Sequence, residues 1–276
     1  MPQLDSNTQI CVSLAAKPGT FGNRFHNYLY GELHLNFIYR SGLTQNLPAA
    51  IAGLRALGIR GCGLSMPYKE QVLELLDEVD PVARKIGAVN TTVNEDVRGK
   101  GFLRGHNTDW LAIYHLLGNR GVGAASRVAV AGSGGMARAV AYALSELGCR
   151  KVTVLARNRA SGEGLAESYD FDWREPGSAG DWDVLINATP MGMTPDLVEF
   201  MPFSHEAAQA SRLVVDSVAY PPDTALLRAA REAGKYTVAG FDITLSQAVE
   251  QFKLYTGVVL RPDQVGRAAA YARHSK

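Results

Sequence analysis

Apolar and polar positions along this chain fall into short blocks whose period switches repeatedly between two and about 3.6. Residues 9–14 (QICVSL) read as a strand, and a glycine-containing loop over 17–23 leads to a helix over 25–33. A short strand at 37–40 follows. Pro48 opens a helix that Gly58 closes, since proline suits the first helical turn and glycine the residue after the last. Residues 59–64 predict a strand, Pro67 starts a helix over 69–79, and 89–93 with 101–104 predict a hairpin around 95–99. A helix over 109–117 ends this first block. The second block carries strands at 127–131, 151–155, 183–187, 213–217 and 236–239, with helices between most of them. Residues 170–182 are poorly periodic and read as a short edge element plus loop. Helices over 245–255 and 262–273 complete the chain. Such alternation predicts an α/β class with mostly parallel sheets.

Within this pattern one stretch carries chemistry. At 127–138 (RVAVAGSGGMAR) a strand meets a glycine cluster, Gly132, Gly134 and Gly135, and an amphipathic helix follows. Strand, glycine turn and helix in that order open a dinucleotide-binding βαβ unit. Glycines let the backbone approach a pyrophosphate, and the helix N-terminus turns free N–H groups toward its charge. The spacing is GxGG, because Ala137 stands where a third glycine would sit, and a tight turn without a ligand has the same form. The second strand of the block adds weight. NAD binders place an acid roughly 20 residues past the glycines, to hold the ribose 2′-hydroxyl. Here the strand ends in Ala156, Arg157, Asn158 and Arg159, with no acid between Lys151 and Arg159. Guanidinium groups suit a 2′-phosphate by charge and by bidentate geometry, so NADP is expected over NAD.

Composition narrows the partners. The 276 residues are 46% hydrophobic with a net charge of +1, enough for two medium domains and without the basic stripe that nucleic acid requires. No apolar run approaches the ~18 residues that span a bilayer, and the N-terminus lacks a secretory pattern. The three cysteines, Cys11, Cys62 and Cys149, are widely spaced, and the six histidines show no metal-ligand spacing, so no metal is expected. These features predict a cytoplasmic protein, a monomer or homodimer, without nucleic-acid or membrane partners.

The first block holds a polar set at strand ends and helix starts: Ser65, Lys69, Asn90, Thr91, Asn107, Thr108 and Asp109. Such ends are where α/β folds build their sites. Asn, Thr and Asp also cap helices, and a first-turn lysine is commonly solvated. Beside a nicotinamide fold, a Lys–Asp pair offers general acid and base for carbonyl reduction.

These motifs together resemble the shikimate dehydrogenase family, most closely its shikimate dehydrogenase-like branch. SMPYKE at 65–70, GAVNT at 87–91, GHNTD at 105–109, AGSGGMARA at 131–139 and NATPMGM at 187–193 stand in the family's order, and Gly240 with the 245–257 segment is similar to its C-terminal site helix. The resemblance implies a substrate-binding, catalytic domain at 1–108, completed by 242–276, and a Rossmann-type NADP-binding domain at 109–241. It implies Lys69 and Asp109 as the catalytic pair, and Thr20, Ser65, Asn90 and Gln247 as contacts to a small cyclitol carboxylate. The cofactor is expected on Gly132, Ser133, Gly134, Gly135, Arg157, Thr189 and Gly240. The implied reaction interconverts 3-dehydroshikimate and shikimate, or a close analogue. A quinate or aminoshikimate-type dehydrogenase, or a non-catalytic NADP-binding sensor module, is the alternative.

The chain departs from the family at the substrate carboxylate. Two serines usually precede the His-Asn pair, where aligning on His26-Asn27 puts Thr20 and Gly22, in a longer loop that carries Lys17. Gly63 replaces an asparagine, and Ala219 a tyrosine, with Tyr220 adjacent. Thr20 offers one hydroxyl and Gly22 none, so a serine at 22 is expected to tighten binding of shikimate.

Overall fold

The computed structural model describes residues 4–16, 19–193 and 196–273. The chain divides into two compact units, one of residues 1–108 with 247–276 and one of residues 109–246.

The first unit is built on a six-stranded sheet of β1 (Gln9–Ala15), β2 (Phe37–Leu43), β3 (Gly61–Leu64), β4 (Glu78–Val79), β5 (Thr91–Asn94) and β6 (Leu103–His106), in the order β2-β1-β3-β5-β6-β4. β1 runs parallel to β2 and β3, while β5 runs against β6, as the hairpin pattern predicts, and also against β3, which it does not. The sheet is therefore mixed. Its helices are α1 (Phe21–Glu32), α2 (Leu47–Ala56), α3 (Tyr68–Gln71) and α4 (Pro81–Ile86). Each start has a local cause. The Asn46 side chain accepts from Ala49 N at 3.1 Å ahead of Pro48, and the Asp80 side chain accepts from Val82 N at 2.9 Å ahead of Pro81.

Two elements depart from the expected pattern. α1 starts at Phe21, so Gly22 and Asn23 belong to its first turn and not to a loop. The helix expected over 69–79 is broken: α3 passes into a single 3-10 turn, and Glu78–Val79 pairs as β4 with β6. The Asp77 carboxylate accepts from Leu103 N at 2.8 Å and meets Arg55 at 2.8 Å, drawing the chain into the sheet despite its helical period.

The second unit opens with α5 (Asp109–Gly118) and holds a wholly parallel sheet of β7 (Arg127–Ala131), β8 (Lys151–Leu155), β9 (Asp172–Arg174), β10 (Val184–Asn187), β11 (Leu213–Asp216) and β12 (Tyr236–Val238). Between the strands run α6 (Gly135–Glu146), α7 (Arg159–Glu167), α8 (His205–Ala210) and α9 (Ala225–Glu232). The order β12-β11-β10-β7-β8-β9 is that of a Rossmann sheet, reversing direction between β7 and β10. β10 and β11 are buried at every residue, which explains their unbroken apolar reading. Trp110 of α5 packs edge-on against Tyr142 of α6, with centroids 5.1 Å apart.

The last helices are α10 (Gly240–Thr256) and α11 (Pro262–Arg273). α10 begins in the second unit, and the chain enters the first at Gln247. α11 rests on α1, where Arg267 meets Glu32 at 2.6 Å and Tyr271 packs on Tyr28. Among the described residues no helix is long and apolar enough to cross a membrane.

Candidate active site

In the first unit the ends of β3 and β5 converge on a buried polar cluster. Asn90 and Thr91 are fully buried, with Thr108 at 4% exposure and Gln251 of α10 at 4%. The Asn90 carbonyl oxygen Oδ1 accepts from Thr108 N at 2.8 Å and from Thr91 Oγ1 at 2.9 Å, and its Nδ2 donates to Thr108 Oγ1 at 3.0 Å. Gln251 Nε2 donates to Thr91 Oγ1 at 2.9 Å. Asn107 Nδ2 closes the neighbouring turn on Ala88 O at 2.9 Å. A satisfied network of this kind fixes side-chain positions in a way a solvated loop does not.

Around it stand the remaining expected groups of this unit. Lys69 is buried in the first turn of α3, and its carbonyl accepts from Val89 N at 2.8 Å, tying α3 to the approach to β5. Ser65 is exposed just past β3, anchored through its N–H to Leu14 O at 3.0 Å. Gln247 lies one helical turn before Gln251 and so on the same face of α10. Thr20 precedes α1, exposed and making no side-chain cap. Lys17 lies outside the described residues. Asp109, fully buried, follows Thr108 directly as the first residue of α5 and belongs to the second unit.

Gln251 is the member of this cluster that sequence reasoning missed. Its signal was present, a second glutamine four residues after Gln247, but only the helix places both toward one face.

In the second unit the glycine turn sits at the reversal of strand order, where parallel sheets open a crevice beyond their carboxyl ends. Gly132 has φ of 112°, and a Cβ there would stand 3.0 Å from Ala188 O and 3.3 Å from the Thr189 methyl. Both the backbone conformation and the close approach of the next strand's loop thus require glycine. Gly134 precedes α6, which begins at Gly135 without a side-chain cap. Ser133 Oγ lies 2.8 Å from Ser161 Oγ, linking this turn to the start of α7. Asn187 organises the loop beside it: its Oδ1 accepts from Thr189 N at 2.9 Å and Thr189 Oγ1 at 2.7 Å, and its Nδ2 donates to Asp216 Oδ1 at 2.9 Å. Burial pushes the Asp216 carboxyl above its ordinary value, against hydrogen bonds from Thr224, Val218 and Asn187 that pull it down.

The two arginines after β8 differ. Arg157 is exposed, whereas Arg159 pairs with Glu163 at 2.9 Å and lies over the Trp173 ring at 5.4 Å. Gly240 has a packing reason of its own, since a Cβ there would fall 2.3 Å from the Val218 carbonyl carbon and oxygen. Ala219 is exposed next to that contact. Among the described residues no cluster of His, Cys, Asp or Glu could hold a metal ion.

Comparison with known proteins places both units. Residues 21–92 match the family model of the shikimate dehydrogenase substrate-binding domain. Residues 127–220 match a model described as NADP oxidoreductase, coenzyme F420-dependent, which spans the glycine turn and the loop after β10. The chain is 41% identical over 271 residues to a shikimate dehydrogenase-like protein of Haemophilus influenzae, covering 98% of each chain. It is 33% identical over 279 residues to a shikimate dehydrogenase (NADP(+)) of Halothermothrix orenii, covering 92% of this chain and 93% of that one. Among solved structures, shikimate 5-dehydrogenase of Thermus thermophilus in complex with NADP(H) and shikimate superposes with a TM-score of 0.82 at 30% identity, covering 96% and 99%. Identity carried along nearly the whole of both chains, with one unit matching the substrate-binding domain and the other a Rossmann sheet, shows that the chain belongs to the shikimate dehydrogenase family.

Proposed function

We propose that this protein is an NADP-dependent dehydrogenase that interconverts a ring hydroxyl and a ketone on shikimate or a close cyclitol carboxylate. The observation that carries the reading is the buried Asn90–Thr91–Thr108–Gln251 network, beside a lysine whose backbone is bonded into the same strand approach. Residues 1–108 with the C-terminal helices supply the substrate side, and the Rossmann unit supplies the cofactor side.

The residues of the second unit fit NADP. Gly132 makes the tight turn that only glycine adopts readily there, the N–H groups that begin α6 carry no side-chain cap and would be free for a pyrophosphate, and Arg157 is exposed for a 2′-phosphate. When bound, the nicotinamide exchanges a hydride with the substrate carbon. Ser133, Gly134, Gly135 and Thr189 line the turn and loop at the strand-order reversal, and Gly240 keeps the start of α10 close to the 216–219 segment.

On the substrate side, Asn90 and Gln247 orient ring hydroxyls, with Ser65 and Thr20 at the exposed rim. Lys69 gives its proton to the alkoxide as the ketone is reduced and takes it back in the oxidative direction. Asp109 is the acidic member of the proposed catalytic pair. The free, buried cysteines Cys11, Cys62 and Cys149 accord with a reducing, cytoplasmic setting.

The test is shikimate-dependent NADPH formation by the purified protein, with Lys69→Ala beside it. Proton transfer by a positioned group is worth about 10²–10⁴ in rate. The variant is expected to lose kcat by that factor while the KM for NADP holds. Near wild-type turnover by Lys69→Ala would remove the lysine from the reaction. An inert wild type across cyclitol acids would favour a binding module.

A further inference from the structure

Two departures of this chain, Gly22 and Gly63, lie on different elements but face one side chain. A Cβ at position 22 would stand 3.0 Å from Tyr39 Cε1 and 3.3 Å from its hydroxyl oxygen. A Cβ at position 63 would stand 3.2 Å from that same oxygen, 3.3 Å from Gln251 Nε2 and 3.4 Å from Ser13 Cβ. Neither glycine has a positive φ, so the backbone demands glycine at neither place. At both places a Cβ would press on the phenol, joined at 63 by Gln251 and Ser13, so that a side chain fits only if these groups yield by a few tenths of an ångström.

Tyr39 cannot easily give way. It is 4% exposed in the middle of β2, and its ring stacks on His26 of α1 with centroids 4.3 Å apart and planes 14° from parallel. Its backbone is held on the α1 side by Asn27, whose Oδ1 accepts from Tyr39 N at 2.8 Å and whose Nδ2 donates to Tyr39 O at 2.8 Å. Burial pushes its phenol pKa up, against the Ser13 side chain that pulls it down. Ser13 pairs with Gly63 across the sheet, and Gln251 beside Gly63 is the residue that joins the Asn90–Thr91 network.

We infer that Tyr39 is a specificity-determining residue of the substrate site. One ring entering from β2 fills the volume that side chains at 22 and 63 would share. Two short polar groups are thereby replaced by a flat apolar face and a single uncharged hydroxyl. This rests on the proposed function, because it takes the Asn90 cluster to be where the substrate lies. It sets a different outcome from the expectation that a serine at 22 alone improves binding: with the ring held in place, the new Cβ has room only if the ring yields by a few tenths of an ångström.

The test is a double-substitution cycle read on shikimate: Gly22→Ser, Tyr39→Leu, and the two together, with Tyr39→Phe as the variant that keeps the ring. Leucine retains most of the buried apolar bulk, so the fold survives. Measured are KM and kcat for shikimate, KM for NADP, and the shift in melting temperature that shikimate produces, which needs no turnover. Gly22→Ser alone is expected to leave KM for shikimate unchanged or to raise it severalfold. In the Tyr39→Leu background the same serine is expected to lower KM by roughly tenfold, the worth of about one hydrogen bond to a charged group, and to enlarge the melting shift. The KM for NADP stays within twofold throughout, about the scatter of independent distant sites. Tyr39→Phe changes KM for shikimate and leaves most of kcat. A serine effect that is equal with and without Tyr39 overturns the inference while leaving the proposed function standing. A wild type that neither turns over nor is stabilised by any cyclitol acid overturns both.

Discussion

His26 shows what a single buried side chain can do to the response of the whole protein to acid. The imidazole is fully buried among Phe25, Tyr39, Phe252 and Tyr255, and burial lowers its pKa to about 3 from 6.5. The folded state therefore resists protonation that the unfolded chain accepts. Between these two values the unfolded state binds more protons, so stability rises with pH across the window, is complete above pH 6.5 and falls away toward pH 3. Each pH unit inside it is worth up to about 1.4 kcal/mol. His26→Phe is expected to flatten the acid limb of a denaturation series between pH 7 and pH 4.5, and an unchanged slope would show that other groups set it. Arg157 acts on a different equilibrium. It is exposed after β8, two residues before Arg159, which is also exposed but pairs with Glu163 and lies over the Trp173 ring. Arg157→Ala is expected to weaken NADP by roughly 1–3 kcal/mol and to leave NAD nearly unchanged, as calorimetric titration of both cofactors would reveal. Asn90, Gly132 and Thr189 were legible in the sequence because each sits inside a short ordered motif at a strand end. Gln251 and Tyr39 were not: their neighbours come from other strands and helices, and no local spacing marks them.

Among elements, five strands of the second unit, β7, β8, β10, β11 and β12, fall within a residue of the expected ranges, because each is a short, largely apolar run between helical segments, whereas β9 lies inside the poorly periodic 170–182 stretch and the helices between strands were expected mostly without bounds. The first unit was harder. Leu73, Leu75 and Leu76 carry a helical period, yet contacts of Asp77 with Leu103 and Arg55 turn the next residues into β4. Asp80-Pro81, an ordinary start signal, then opens α4, which lies beyond the expected 69–79 helix and was not among the expected elements. Glycines in helices give a sharper check, because the same substitution should act with opposite sign at two of them. Gly53 in α2 has nothing within 4 Å of a new Cβ, so Gly53→Ala is expected to stabilise by roughly 0.5–1 kcal/mol. Gly240 at the start of α10 meets the Val218 backbone at 2.3 Å, and Gly240→Ala is expected to cost about 1–3 kcal/mol or more. Urea midpoints of the two variants moving in the same direction would contradict this.

At the scale of the molecule, two sheets of six strands are each closed by different means. The Rossmann sheet followed from its alternating strands and helices. The strand order of the first unit did not, because a mixed sheet leaves several pairings equally consistent with period alone. Its terminal strand β2 pairs with β1 on one side only. On the other side its backbone is already taken by side chains: Tyr39 N and O by Asn27, and Ser41 N by Asn23 at 2.6 Å. Those asparagines imitate a seventh strand. A sheet edge left bare is a template on which another copy of the chain can add its own strand. Asn27→Ala is therefore expected to release a Tyr39 donor and acceptor together. Light scattering during refolding should then show association that steepens with protein concentration, while the wild type stays flat. The asparagine amides of α1 that hold Tyr39 and Ser41 at this edge thus also keep the molecule from being read by its neighbours as an unfinished sheet.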